Sequence, residues 1–173
     1  MDEFNCGRLV VTGHAPDGAA IIVSDAPVPE IDLVGKAVRA RFLWARDDVA
    51  TFPDGGSMPR DVGRVPAPGG CRFSTLTVAA GATDDYHAFV TQVLGDLAEP
   101  GHPGFHRTPT LDFIVVLNGE LALEVDRGEE RVLRKGDSAV LNGVRHRWHN
   151  RGAADATIVA VMIGARVLNG EYL

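Results

Sequence analysis

Asn118-Gly119 lies between two runs of alternating polarity, residues 112–117 and 120–126. An Asn-Gly pair in that setting is the strongest short signal for a two-residue β-hairpin, because both turn positions need a positive φ that these residues adopt readily. On the second run Leu121, Leu123 and Val125 alternate with Glu120, Ala122, Glu124 and Asp126, which predicts one buried and one wet face. Further short runs at 131–133, 138–141, 146–150 and 157–163 are separated by turn sequences such as Asp126-Arg127-Gly128-Glu129. Earlier runs fall at 8–12, 19–24, 38–45 and 72–79, the first two joined through Pro16-Asp17-Gly18. Helical periodicity is nearly absent, so the chain reads as an all-β sandwich or barrel, and the lack of any internal repeat favours one barrel over two.

Two segments break the β pattern. Residues 46–70 are rich in Gly, Pro and charge and read as one long surface loop, a length that suggests a lid or a partner contact. Residues 84–97 read as a helix: Asp84 or Asp85 can cap it, Tyr86, Phe89, Val90, Val93, Leu94 and Leu97 share a face, and Pro100 stops it. That apolar face is expected to pack on the outside of the barrel wall.

Composition narrows the function. The 173 residues suffice for one domain with a real core. A net charge of −6 and no basic stripe argue against a nucleic-acid surface. No apolar run approaches the roughly 20 residues of a membrane span. The acidic start, Met1 to Cys6, has no apolar signal core. Cys6 and Cys71 match no metal or redox spacing, which suggests reduced thiols in a cytoplasmic protein.

Residues 104–164 resemble a cupin. Anchored on Gly119, the carboxylate of the family's first motif falls at Asp112, and its two histidine positions fall at His106 and Thr108. The second motif opens at Gly136-Asp137 and closes with His146 and Asn150. The chain is also similar to single-domain cupins that carry His-x-Thr-x-Thr-x-Asp, here from His106 to Asp112, and His-x-Trp-x-Asn, here from His146 to Asn150. The resemblance implies an antiparallel jelly-roll barrel over residues 71–173. Residues 1–70 would add N-terminal strands and the long loop, all within one structural domain, with the helix outside. It also implies a homodimer, through N-terminal strands pairing with a neighbouring subunit. Three departures stand out. Thr108 replaces the second histidine, Asp112 replaces a glutamate, and the second motif is one residue short before His146, with Asn142-Gly143 in place of Pro-x-Gly.

The resemblance makes His106, Asp112 and His146 the candidate catalytic and metal-binding residues. Two histidines and a carboxylate can hold one divalent metal, Fe, Mn, Zn or Ni, with open positions for substrate. A metal-free alternative stays open, in which Asp112 pairs with a histidine in a closed polar network. Period-2 alternation puts Thr108, Thr110, Asp112, Ile114 and Val116 on the face of His106, a polar-to-apolar gradient suited to a ligand pocket. Trp148 and Asn150 share the face of His146, and Thr108, Thr110, Ile114, Trp148 and Asn150 are the candidate substrate-pocket residues. His149 is expected to face solvent, and His14, His87 and His102 to lie on the surface. The expected activity is that of a small-molecule enzyme on a carbonyl, enol or carboxylate substrate. The alternative is a non-catalytic module that binds a small ligand or a protein partner.

Overall fold

The computed structural model describes residues 7–168, so Cys6 lies outside the described residues. Strands β1 (Arg8–His14), β2 (Ala20–Pro27), β3 (Ile31–Val34), β4 (Val38–Arg46) and β5 (Cys71–Val78) precede helix α1 (Thr83–Leu94). Strands β6 (Thr110–Asn118), β7 (Glu120–Glu124), β8 (Glu130–Arg134), β9 (Ser138–Asn142), β10 (Arg147–His149) and β11 (Ala156–Gly164) follow. A six-stranded sheet runs β3-β4-β5-β11-β6-β9 and a three-stranded sheet runs β10-β7-β8, with every pairing antiparallel. The chain is an antiparallel jelly roll, as the resemblance to cupins implies.

The core joins the two sheets. Val38, Ile114, Val116, Leu141 and Ile158 of the larger sheet pack in one cluster with Leu121 and Trp148 of the smaller. Buried positions alternate along β4 and β6, as expected where one face meets a core. Ala122, expected on the wet face of β7, is buried instead: β7 is the central strand of its sheet, and Ala122 lies opposite His149. Strand β4 belongs to the main sheet itself and carries β3 on its edge.

The other departures concern the segments around the barrel. Neither Asp84 nor Asp85 caps α1; Ala82 occupies the cap position with no side-chain bond, while the Thr83 hydroxyl donates to the Asn150 carbonyl. The helix buries Tyr86, His87 and Val90 and presents Phe89, Val93 and Leu94 to an internal cavity, so it closes the barrel and does more than lie on it. Strands β1 and β2 form a separate two-stranded ribbon that leaves β2 exposed along its whole length. The ribbon is tied to the 46–70 loop where the His14 amide donates to the Asp54 carbonyl at 2.8 Å.

The expected hairpin does not form: β6 pairs with β11 and β9, β7 pairs with β10 and β8, and Asn118 lacks the positive φ of a two-residue hairpin turn, so Asn118-Gly119 carries the chain from one sheet to the other. Gly119 sits at this step at φ 68° with room for nothing larger. A Cβ there would stand 2.4 Å from the Asp155 carbonyl oxygen and 2.8 Å from the Ala156 Cα. Gly128 has a similar φ of 71° but open space around it. Both Gly119→Ala and Gly128→Ala carry a left-handed strain of about 1–3 kcal/mol. Only Gly119→Ala adds the backbone clash, worth roughly a further 1–3 kcal/mol. Urea denaturation of the two variants should therefore give a distinctly lower midpoint for Gly119→Ala. Equal midpoints would show that the strand ends relax freely.

Candidate functional site

A cavity of about 800 Å³ opens between the sheets, and His106, Thr108, Asp112, Ile114, His146 and Trp148 all line it. His106 and His146 meet through an isolated antiparallel bridge. The His106 amide donates to the His146 carbonyl at 3.0 Å, and the His146 amide donates back to the His106 carbonyl at 3.1 Å. This places the two imidazoles side by side, with ring centroids 4.3 Å apart.

Each ring is held by the carbonyl two residues before it. His106 Nδ1 lies 2.9 Å from the Gly104 carbonyl oxygen, and His146 Nδ1 lies 2.9 Å from that of Val144. A carbonyl only accepts, so both Nδ1 atoms carry the proton, and Nε2 of each neutral ring is a bare lone pair. Gly104 is required for this grip: its φ is 78°, and a Cβ would stand 2.2 Å from the His87 ring. Burial holds both imidazoles below the usual histidine range. For His146 burial is reinforced by the neighbouring His106, and the value falls to about 3. Both rings are therefore neutral at pH 7.

Asp112 is also buried, and burial raises its carboxyl above the usual range, opposed by a hydrogen bond from Thr110. Its Oδ1 is buried without a hydrogen-bond partner. Such an orphan costs about 1–3 kcal/mol, which marks a place where a ligand, proton or cation would be welcome. Thr108 and Thr110 share a hydroxyl hydrogen bond of 2.7 Å beside it.

Not every candidate residue lines the cavity. Thr110 is buried and engaged with Thr108 and Asp112, but it supports the lining and does not form it. The Asn150 amide lies 2.9 Å from the Val78 carbonyl and 3.1 Å from that of Ala79, and its Oδ1 accepts from the Gly152 amide. Asn150 therefore ties the strand end to β5 and does not line the pocket. His149 is buried, contrary to the sequence expectation, as is His87. Their rings meet edge-on with centroids 5.1 Å apart, in the space between α1 and the smaller sheet.

Alternation alone could not find the rest of the wall. Trp44 of β4, residues 58–60 and 62–65 of the long loop, and Phe89, Val93 and Leu94 of α1 also line the cavity. The apolar face of the helix is legible in the sequence, but it lines the cavity instead of packing on the outside of the wall. The loop contribution had no signal beyond unusual length.

The donor sets for a metal separate in space. Among the described residues, the group whose donor atoms all lie within 4.8 Å of one another is Glu124, Glu130 and His149. His106, Asp112 and His146 are not drawn that close together, although they share one cavity. The Glu124 set is already neutralised: Glu124 accepts from Arg147 at 2.9 Å and from His149 at 2.7 Å, and Glu130 is ion-paired with Arg151. Arg147, with help from His149, holds the Glu124 carboxyl below its usual range. A cation there would have to displace guanidinium groups. The lumenal set offers bare nitrogens and an orphaned oxygen.

Residues 95–162 match the family described as Cupin domain. "Oryzines biosynthesis cluster protein J" of Aspergillus oryzae is 43% identical over 79 residues, 42% of this chain and 44% of that protein. "Cupin-domain-containing oxidoreductase virC" of Hypocrea virens is 44% identical over 45 residues, 26% of this chain and 23% of that protein. Each alignment covers less than half of the relative's own length. The solved structure of KdgF from Halomonas sp. aligns over 80% of this chain and 87% of that one, at 13% identity and a TM-score of 0.48.

The depressed histidines give a pH signature. Between the unfolded histidine value near 6.5 and the lower folded values, the unfolded chain binds more protons, so stability falls as pH falls through that window. Each histidine contributes a slope of at most about 1.4 kcal/mol per pH unit. Asp112 acts in the opposite direction, because its raised carboxyl favours the folded state more as pH drops. Denaturation midpoints of His146→Gln should therefore decline less steeply below pH 6.5 than those of the unaltered chain. Parallel curves would mean that His146 is not held neutral.

Proposed function

We propose that this cupin-domain protein is a small-molecule enzyme acting in the barrel lumen on a carbonyl, enol or carboxylate substrate, with His106, His146 and Asp112 as its reactive groups. The observation that carries the reading is the shared tautomer of the two histidines. Both Nδ1 atoms are spent on backbone carbonyls, which leaves two adjacent Nε2 lone pairs at a largely apolar cavity. Backbone bonds of this kind orient imidazoles for ligation or for proton transfer. The fungal relative named as an oxidoreductase agrees with an enzymatic role for this domain.

The donor chemistry fits one divalent cation such as Fe, Mn, Zn or Ni, held by Nε2 of His106 and His146 with Asp112 as the third donor. Bound there it would supply Lewis acidity toward a substrate oxygen. The chain's own groups do the remainder. Trp148 offers a flat wall for a planar substrate, its ring edge-on to His146 at 6.3 Å. Ile114, Leu141 and Ile158 give the same cavity apolar surface for the body of a substrate. Asp112, raised by burial, can hold a proton at its orphaned oxygen and pass it to a substrate carbon or oxygen.

A metal-free, non-catalytic ligand-binding module is the second reading. The three donor atoms do not all lie within 4.8 Å of one another, which favours it.

Metal titration followed by calorimetry distinguishes the two. In the enzyme reading one divalent ion binds per chain, His106→Ala and His146→Ala each abolish uptake, and near-ultraviolet circular dichroism shows the fold intact. Asp112→Asn keeps the shape, removes the charge and weakens uptake by about tenfold or more. Unchanged uptake in both histidine variants would sink the metal site.

Assembly as a homodimer is part of the same proposal. Ile21, Ile22 and Val23 of β2 are 42%, 68% and 40% exposed on a ribbon that joins neither main sheet. A two-stranded ribbon is marginal alone and gains by pairing elsewhere. Light scattering at micromolar concentration should give twice the chain mass of 18.4 kDa. A single monomeric species would refute the assembly without touching the site.

A further inference from the structure

Two arginines line the cavity without partners. Arg60 and Arg64 lie on the stretch of the long loop that forms one wall, and among the described residues neither is hydrogen-bonded or ion-paired. Acids are in excess in this chain, 23 against 17 basic residues, so partners are not scarce. Arg46, Arg72, Arg145, Arg147 and Arg151 all take carboxylates. The one acid that lines the same cavity is Asp112.

The loop is fixed where it carries these charges. Arg72, which is buried, donates from Nε to the Gly63 carbonyl at 2.7 Å and from Nη2 to the Val65 carbonyl at 3.5 Å. Its Nη2 also binds Asp47, whose carboxylate accepts the Gly63 and Ala67 amides, both at 3.4 Å. The backbone is therefore held on both sides of Arg64, while the Arg64 head is left unengaged. Around the two charges the wall is apolar: Phe42, Trp44, Met58, Val62 and Val65. Unpaired guanidinium groups beside apolar surface suit a carboxylate, which they can grip through paired N–H donors.

We infer that Arg60 and Arg64 are an anion clamp that restricts the lumen to organic carboxylates with an apolar body. The inference rests on the proposed function and narrows its substrate class. The carboxylate meets the loop, and the apolar body lies between Trp44 and Trp148, with its far end toward His106, His146 and Asp112.

The test uses the full chain freed of metal by chelation and two probes of nearly equal shape, 1-naphthylacetate and neutral 1-naphthylacetamide. Isothermal calorimetry should show the anion binding at least about tenfold more tightly than the amide. Arg60→Gln/Arg64→Gln should erase that preference and leave amide binding unchanged. Arg64→Gln alone should remove more of it than Arg60→Gln, because Arg64 is the better fixed. Equal binding of the two probes to the unaltered chain, binding of neither at millimolar concentration, or a preference that survives in the double variant overturns the clamp. A preference lost in His146→Gln but kept in the double arginine variant would place the selectivity at the histidines, and also overturns it. Metal uptake is measured independently, so the clamp and the histidine site can fail separately.

Discussion

The reciprocal backbone bonds between His106 and His146 fix the geometry on which the lumen depends. They join two segments that no regular strand pairing reaches, the approach to β6 and the approach to β10. With the backbones paired, each ring can turn only to the carbonyl two residues behind it, and that choice sets the tautomer of both. The same constraint explains Gly104. The chain must turn tightly against His87 before His106 can enter the bridge, and no side chain fits there. Neutral rings follow from burial, since charging either one would put an unbalanced cation in a largely apolar cavity.

Much of this was legible in the sequence because it depends on local periodicity. The buried sequence Thr110, Asp112, Ile114, Val116 is a strict alternation that survives Pro109, and His106 and Thr108 continue it beyond the strand. The Asn118-Gly119 signal is equally local but misleads, because the step joins the two sheets and β6 and β7 do not pair. What could not be read depends on contacts distant in sequence. His149 alternates with Trp148 and so reads as solvent-facing, yet α1 covers that side of the smaller sheet and buries it against His87. Asn150 shares a face with Trp148, but three backbone carbonyls converge on its amide and make it a fastener. The loop at 46–70 shows only its length, and its role as a wall comes from Arg72, which reaches back to it from β5.

The two histidine clusters show why proximity is a poor guide to where a cation would go. Glu124, Glu130 and His149 have their donor atoms close together, and the same closeness lets Arg147 and Arg151 neutralise them. That group is a brace on the outer side of the smaller sheet, continued by Arg145 and Arg147 stacked on Phe105 at 3.6 and 4.3 Å. The lumenal group is wider, but none of its reactive atoms is satisfied by a guanidinium. A cation is attracted by uncompensated electron density more than by a short distance between atoms that already share partners. Closing the lumenal group requires a movement of side chains within the cavity. Displacing the outer brace would leave the half-buried Arg147 guanidinium and the exposed Arg151 guanidinium without these counterions, a cost that the lumen does not carry.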